Sequence, residues 1–401
     1  MRIASRTIAA ISVAAISTLA LAGCVASAAP SDNPTSSDDA ETILLGAVMA
    51  ETGFMSVADV PAINSMQMTI DDINEAGGID GKQIELQVID TGSKLEEYAP
   101  ASQQLIDAGA KALLFTCDFD LSSPGALVAE QANVLSVSPC INEALFGPSG
   151  GLNLSFSLGN STIGEGVVMA EFAESKGWKS AAFLTDTTLK YTQSQCEYAR
   201  ERFTELGGTD VGDYEYIQGE SIPEIVSKIS GGTAPDVIFN CGYLPGGAQV
   251  AKDLRDGGIT APVISGFGMD GTFWLDAIPG LSDYYTVGPV SLTGDDPDPA
   301  VNEFLDRYTA EYGAPTMGTF VMGPSAIESI VNGYEIAGSW DGAELADALV
   351  TFDNEELLVG PTTFTPEYHI ALERPQSVRV VEDGTLKFVE RRAPEKINVN
   401  D

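Results

Sequence analysis

Apolar positions along this chain recur with two alternating periods. A short apolar run at 43–49 reads as a strand. From Pro61 onward, Ile63, Met66, Ile70 and Ile73 fall at helical spacing until Gly77-Gly78 ends the stretch. Ile84, Leu86 and Val88 alternate as in a second strand, after which the pattern predicts a helix at 101–108, a strand at 112–116, a helix at 126–132 and a strand at 134–137. Strands separated by helices pair in parallel, and a parallel sheet needs helices on its faces. The same grammar restarts after Asn160. It predicts helices at 164–176 and 192–206, a helix near 222–229 and another at 248–256, with strands at 181–185, 237–239 and 263–265. Asp298-Pro299 pairs an N-cap residue with proline at the first helical position, opening a helix to about Tyr312, and a further apolar helix runs from about Met322 to Ala337.

The first 41 residues follow a different pattern. Arg2 and Arg6 precede an apolar run at 8–22 that is too short and too rich in alanine for a membrane span, so residues 1–23 read as a signal peptide. Its end, Leu21-Ala22-Gly23-Cys24, resembles the bacterial lipobox, which implies that Cys24 becomes a lipid-bearing N-terminus. Residues 24–42, rich in Ser, Ala, Asp and Pro, cannot build a core and read as a flexible tether. The chain has 58 acidic against 20 basic residues, a net charge of −38, which excludes nucleic acid as a partner and describes a solvated acidic coat without naming a ligand. The length that remains favours two domains. Four cysteines remain beside Cys24, namely Cys117, Cys140, Cys196 and Cys241, in an exported chain that permits disulfides, and four cysteines allow three pairings. With no CxxC motif and His369 the only histidine, neither a Cys/His metal site nor a cofactor is expected.

Ligands of open α/β sheets sit outside the carboxyl ends of the strands. Here those ends read Glu51-Thr52-Gly53-Phe54, then Cys117-Asp118-Phe119-Asp120-Leu121-Ser122-Ser123, Ser138-Pro139-Cys140-Ile141-Asn142, the 186–191 segment, Cys241-Gly242-Tyr243 and the 266–270 segment. They concentrate the hydroxyls, amides, rings and carboxylates that orient a small polar molecule. Two sharper motifs give way to plainer readings. Gly147-Pro148-Ser149-Gly150-Gly151 has the GxSxG spacing of hydrolases but no strand leading into it, and the only base for it is His369. Gly266-Phe267-Gly268-Met269-Asp270-Gly271 has the GxGxxG spacing, but Pro279-Gly280 cuts short the helix a dinucleotide site needs. Asp295-Asp296-Pro297-Asp298 lacks the spacing of a calcium loop. No enzyme is expected.

Asp71-Asp72-Ile73-Asn74-Glu75-Ala76-Gly77-Gly78-Ile79-Asp80-Gly81 is similar to the helix-to-GGI loop of the type I periplasmic binding proteins, specifically the branched-chain amino-acid receptors of ABC importers. Ser138-Pro139, the 296–304 segment and Gly360-Pro361-Thr362-Thr363-Phe364 fall where that family has counterparts, so the resemblance covers about 43–390. It implies two Rossmann-like lobes, each a parallel sheet flanked by helices, joined by three hinge crossovers near Leu158, Gly288 and Val359. Lobe one would comprise 43–158 plus 289–358, lobe two 159–288 plus 359–390, and 391–401 a C-terminal tail. A monomer closing over a small solute, recognised by ABC permease subunits and lipid-anchored on the outer face of the cytoplasmic membrane, is the implied whole.

Carried over residue by residue, the resemblance places the ligand-holding hydroxyl of the third loop at Asp118, or at Ser122 or Ser123 if the loop holds one more residue. Ile141 and Asn142 match the next loop, and Tyr191 and Tyr243 match ring positions of the second lobe. Where the family often has a glutamate for the ligand ammonium this chain has Phe267, so Asp118, Asp120 or Asp270 supplies the charge, or the ligand is an amide, urea-like or aromatic solute instead of an amino acid. On the implied strand order Cys117 pairs with Cys140, and Cys196 with Cys241. A sensor ectodomain of the same fold is the second reading, disfavoured because no membrane helix follows Asp401, and a surface hydrolase is the third.

Overall fold

The computed structural model describes residues 42–397; the signal peptide, Cys24 and all but the last residue of the tether lie outside them. The first half runs β1 (Ile43–Met49), α1 (Ser56–Glu75), β2 (Ile84–Asp90), α2 (Leu95–Asp107), β3 (Ala112–Phe115), α3 (Phe119–Gln131), β4 (Leu135–Ser138) and β5 (Ser155–Ser157). The chain continues with α4 (Thr162–Ser175), β6 (Ser180–Asp186), α5 (Lys190–Glu205), β7 (Thr209–Tyr216), α6 (Pro223–Gly231), β8 (Val237–Cys241), α7 (Gly246–Asp256), β9 (Val263–Ser265) and β10 (Tyr284–Gly288). It ends with α8 (Pro299–Tyr312), α9 (Thr319–Ala337), α10 (Gly342–Leu349), the hairpin β11 (Glu355–Leu357) and β12 (Gly360–Thr362), and the hairpin β13 (Gln376–Glu382) and β14 (Thr385–Arg392).

Two sheets result. The first, β2-β1-β3-β4-β5, is parallel throughout. The second, β14-β13-β10-β9-β8-β6-β7, is parallel up to β10, to which the β13–β14 hairpin adds two antiparallel strands, β14 forming the edge. Both faces of each sheet are covered, as parallel pairing requires. Leu113 and Phe115 face Tyr98 and Leu105 of α2, whereas Leu114 and Leu45 face Met66 and Ile70 of α1 and Ile327 of α9. In the second sheet Phe183 and Phe239 pack on Phe172 and Phe203 of α4 and α5, while Leu184 and Ile238 pack on Val250 and Leu254 of α7. Among the described residues no helix is long and apolar enough to cross a membrane.

The helices α1, α2 and α3 begin several residues before the sequence pattern places them. Pro61, Pro100, Pro124 and Pro324 are each the sixth residue of their helix, where a first-turn position was expected for Pro61. A proline there cannot donate to the carbonyl four residues back. In α1 that carbonyl belongs to Val57, and the hydroxyl of Thr316 donates to it instead at 2.6 Å. The adjacent carbonyl also receives a hydroxyl, Thr319 Oγ1 donating to Ala58 at 2.7 Å.

The chain leaves the first sheet after β5 and returns to its helical layer after β10, where α8 and α9 contribute Val301, Phe304 and Phe320 to the core of that half. The third crossing falls later than Val359. Gly360-Pro361-Thr362 forms a hairpin strand with β11, Ile370 pairs with Ser157 of β5, and His369 stacks on Phe156 with ring centroids 3.9 Å apart, so this segment stays beside the first sheet. β14 also runs two residues into the segment read as a tail, and beyond it the Glu395 N–H donates to Glu171 at 2.9 Å.

Two buried arginines lace these crossings. Arg374 donates to the carbonyls of Leu158 at 2.5 Å and Gly159 at 3.0 Å, and to Thr362 Oγ1 at 2.8 Å, which joins the first and third crossings. Burial, with Arg391 nearby, lowers its pKa to about 9. Arg379 pairs with Asp270 at 2.5 Å and donates to the Val290 carbonyl at 2.9 Å, at the second crossing. Disulfides join Cys117 to Cys140 and Cys196 to Cys241, with Cα atoms 4.6 and 5.5 Å apart, the two expected pairs.

Candidate functional site

The carboxyl ends of β1, β3 and β4 in one sheet and of β6, β8 and β9 in the other contribute to a single cavity. Its volume is about 60 Å³, the liquid-volume share of roughly two water molecules. From the first half come Phe54, Met55, Val57, Ala58, Cys117, Asp118, Cys140, Asn142 and Met317; from the second come Leu189, Tyr191, Tyr243, Leu244, Phe267 and Gly268. The walls are mainly apolar, and the rings of Phe54 and Tyr243 approach from opposite halves with centroids 6.0 Å apart.

Of the residues singled out in the sequence, Asp118, Asn142, Tyr191, Tyr243 and Phe267 meet here. Ser122, Ser123, Ile141 and Asp270 do not line the cavity. Ser122 is buried and donates to the Thr116 carbonyl at 3.2 Å, Ser123 is half-buried on α3, and Ile141 lies in the core with its N–H given to Ser138 Oγ at 3.0 Å. The Asp270 carboxylate is taken by Arg379 and by the N–H of Gly318 at 2.8 Å, so it is not available as a counter-charge. Asp120 likewise accepts the Lys190 N–H at 2.8 Å and so caps α5, which has no side-chain cap of its own, from the other half of the molecule.

Three carboxyl groups around the cavity carry pKa values raised to about 7, each chiefly by burial. Asp118 caps α3 by accepting the Leu121 N–H at 2.9 Å, and the neighbouring Asp120 and Asp59 push it further up. Asp59, near the start of α1, accepts from the N–H groups of Ala50 at 2.7 Å and Cys117 at 3.1 Å and from Thr116 Oγ1 at 2.5 Å, which fixes the end of β3. Although Asp59, Cys117 and Cys140 lie close together, both sulfurs belong to the disulfide.

Glu165 was not anticipated. It lies on α4, whose residues 162–173 are all buried, and its carboxylate accepts the Phe267 N–H, Tyr191 Oη at 3.2 Å and Asn142 Nδ2 at 3.2 Å. It thus holds three lining residues from both halves. Residue 266 must be glycine for this, since a Cβ there would stand 2.2 Å from Glu165 Oε1. The available signal was a charged residue between Gly164 and Gly166 ahead of the apolar stretch 167–170 of the same helix.

Ser149 and His369, the pair a hydrolase reading needs, are both engaged elsewhere. Ser149 Oγ donates to the Ala144 carbonyl at 2.8 Å, and His369 Nδ1 lies 3.0 Å from the Ser155 carbonyl with its pKa lowered by burial to about 4.

A sheet pair of this order with a cavity at the strand ends defines a class, and the periplasmic binding protein family model matches residues 42–385. The chain belongs to that family. The Leu/Ile/Val-binding protein homolog 3 of Brucella melitensis is 23% identical over 337 residues, 80% of this chain and 87% of that relative. The branched-chain amino acid transporter substrate binding protein LivJ of Streptococcus pneumoniae, solved in complex with isoleucine, superposes with a TM-score of 0.79 at 23% identity, covering 88% of this chain and 100% of that one. An ABC transporter substrate-binding protein of Desulfitobacterium hafniense, solved with Leu, gives a TM-score of 0.74 at 20% identity, with coverages of 87% and 100%. At these identities the superpositions speak for the fold.

Proposed function

We propose that this protein is the solute-binding component of an ABC importer, exported and lipid-anchored through Cys24. In this reading it encloses a small molecule with an apolar body and a polar handle between its two sheets, closing about the three crossings. The cavity lined from both sheets carries the proposal, because a solute in it touches both halves and so favours the closed arrangement. The names of the relatives make branched-chain amino acids the first solutes to test. A thermal-shift screen of amino acids, amides, amines, polyols and aromatic acids should find a solute that stabilises the fold by mass action, and no response across the panel counts against the reading. Tyr243→Ala should weaken that solute by at least roughly tenfold and leave the unliganded melting temperature nearly unchanged; unaltered affinity reassigns Tyr243 to packing. Mass analysis of the N-terminal peptide tests the anchor, the expected species being diacylated at Cys24.

A further inference from the structure

The cavity wall carries a carboxylate and an unfilled amide oxygen but no cationic side chain among the described residues. One hydrogen of Asn142 Nδ2 and that of Tyr191 Oη go to Glu165. Three backbone donors beside them are engaged as well. Cys117 N–H goes to Asp59, Phe267 N–H to Glu165 and Gly268 N–H to Tyr191 Oη. Two acceptors stand out. Asn142 is 3% exposed, and its Oδ1 is buried without a hydrogen-bond partner among the described residues. The orientation of that amide is fixed because its nitrogen faces a carboxylate. Asp118, 3% exposed, adds a carboxylate to the wall, and no Lys, Arg or His among the described residues lines the cavity to balance it.

A buried carboxylate without a cation is costly, and so is an acceptor without a donor. A solute carboxylate brought here would add negative charge beside Asp118 with no cationic side chain in the wall to balance it. An ammonium satisfies both groups. From these observations, and resting on the receptor reading above, we propose that the solute is a small alkylamine cation, its ammonium held by Asp118 and Asn142 Oδ1 and its short apolar body packed among Phe54, Tyr243, Leu244 and Phe267.

Three probes that differ by one group separate the alternatives by calorimetry and thermal shift on the exported chain: isoamylamine, leucine, and isocaproate, which lacks the amino group. Isoamylamine should bind, leucine more weakly and isocaproate not at all. Asp118→Asn keeps a good helix cap while removing the charge, so the unliganded fold should melt no lower and isoamylamine affinity should fall by at least roughly tenfold. Binding of leucine or isocaproate without isoamylamine overturns the amine class and leaves the receptor reading standing. Isoamylamine affinity unchanged in Asp118→Asn, or no response to isoamylamine at all, also overturns it, whereas only a silent broad panel overturns the receptor reading itself.

Discussion

Removing the Asp270 carboxylate tests whether that residue serves the fold or the ligand. Both members of the Asp270–Arg379 pair are 0% exposed, the pair is made through Nη1, and Arg379 Nε and Nη2 have no hydrogen-bond partner among the described residues. Asp270→Ala therefore strands a buried guanidinium and deprives the Gly318 N–H of its acceptor. Breaking one side of such a pair costs about 3–5 kcal/mol. For a body of roughly 360 residues that melts as one unit, with an unfolding entropy of about 2.1 cal/mol/K per residue, that is a fall of about 4–7 °C in melting temperature. Differential scanning calorimetry of the unliganded protein measures it directly. Replacing both partners, Asp270→Leu with Arg379→Met, should recover at least half of the loss, because an apolar pair carries no stranded charge. Affinity for the solute identified by screening should change by less than about twofold in any single variant that stays folded. A melting temperature within about 1 °C of wild type, or a collapse of affinity with stability intact, refutes the reasoning and returns Asp270 to the ligand.

Further perturbations probe the other parts of the account. Asp59, Asp118 and Glu165 have folded-state pKa values near 7 against ordinary values of 3.8, 3.8 and 4.5, so the folded chain keeps protons the unfolded chain has already released. Stability therefore falls as pH rises from about 4 to about 7, by up to about 1.4 kcal/mol per pH unit for each group. The melting temperature should be higher at pH 5 than at pH 8, and Glu165→Gln should flatten the slope; a profile that rises over this interval contradicts the burial argument. Asp120→Ala should speed hydrogen exchange at the Lys190 amide by about fivefold, the worth of a helix cap of roughly 1 kcal/mol, with Asp120→Asn near wild type; equal protection in all three shows that α5 is not capped from the other half. Gly266→Ala should cost about 1–3 kcal/mol through displacement of Glu165 and Gln195, and an unchanged denaturation midpoint shows that the carboxylate is not locked in place.

The strand-and-helix alternation was legible because buried parallel strands and one-sided helices leave distinct periods in the chain, as at 43–49 and 63–73. Helix starts were not, since Pro61, Pro100 and Pro124 suggest a first turn while tertiary partners such as Thr316 let them sit deeper. The strands β7 and β14 were missed because they are partly exposed edge strands with few buried residues. The site was readable where it hangs on strand ends, which is why Asp118, Asn142, Tyr191, Tyr243 and Phe267 converge. Glu165 was not readable, because nothing in a helical period says which buried turn faces a loop 102 residues away. Asp270 misled for the same reason, its partner Arg379 lying 109 residues on.

The claim that a solute is held between the two sheets is met most directly by a crystal structure of the protein with the solute selected by thermal shift. The account predicts that molecule against Asp118 and Asn142 on one side and Tyr191 and Tyr243 on the other, with its cationic group toward the acceptors. A molecule bound to residues of one sheet alone, or outside this cavity, contradicts it.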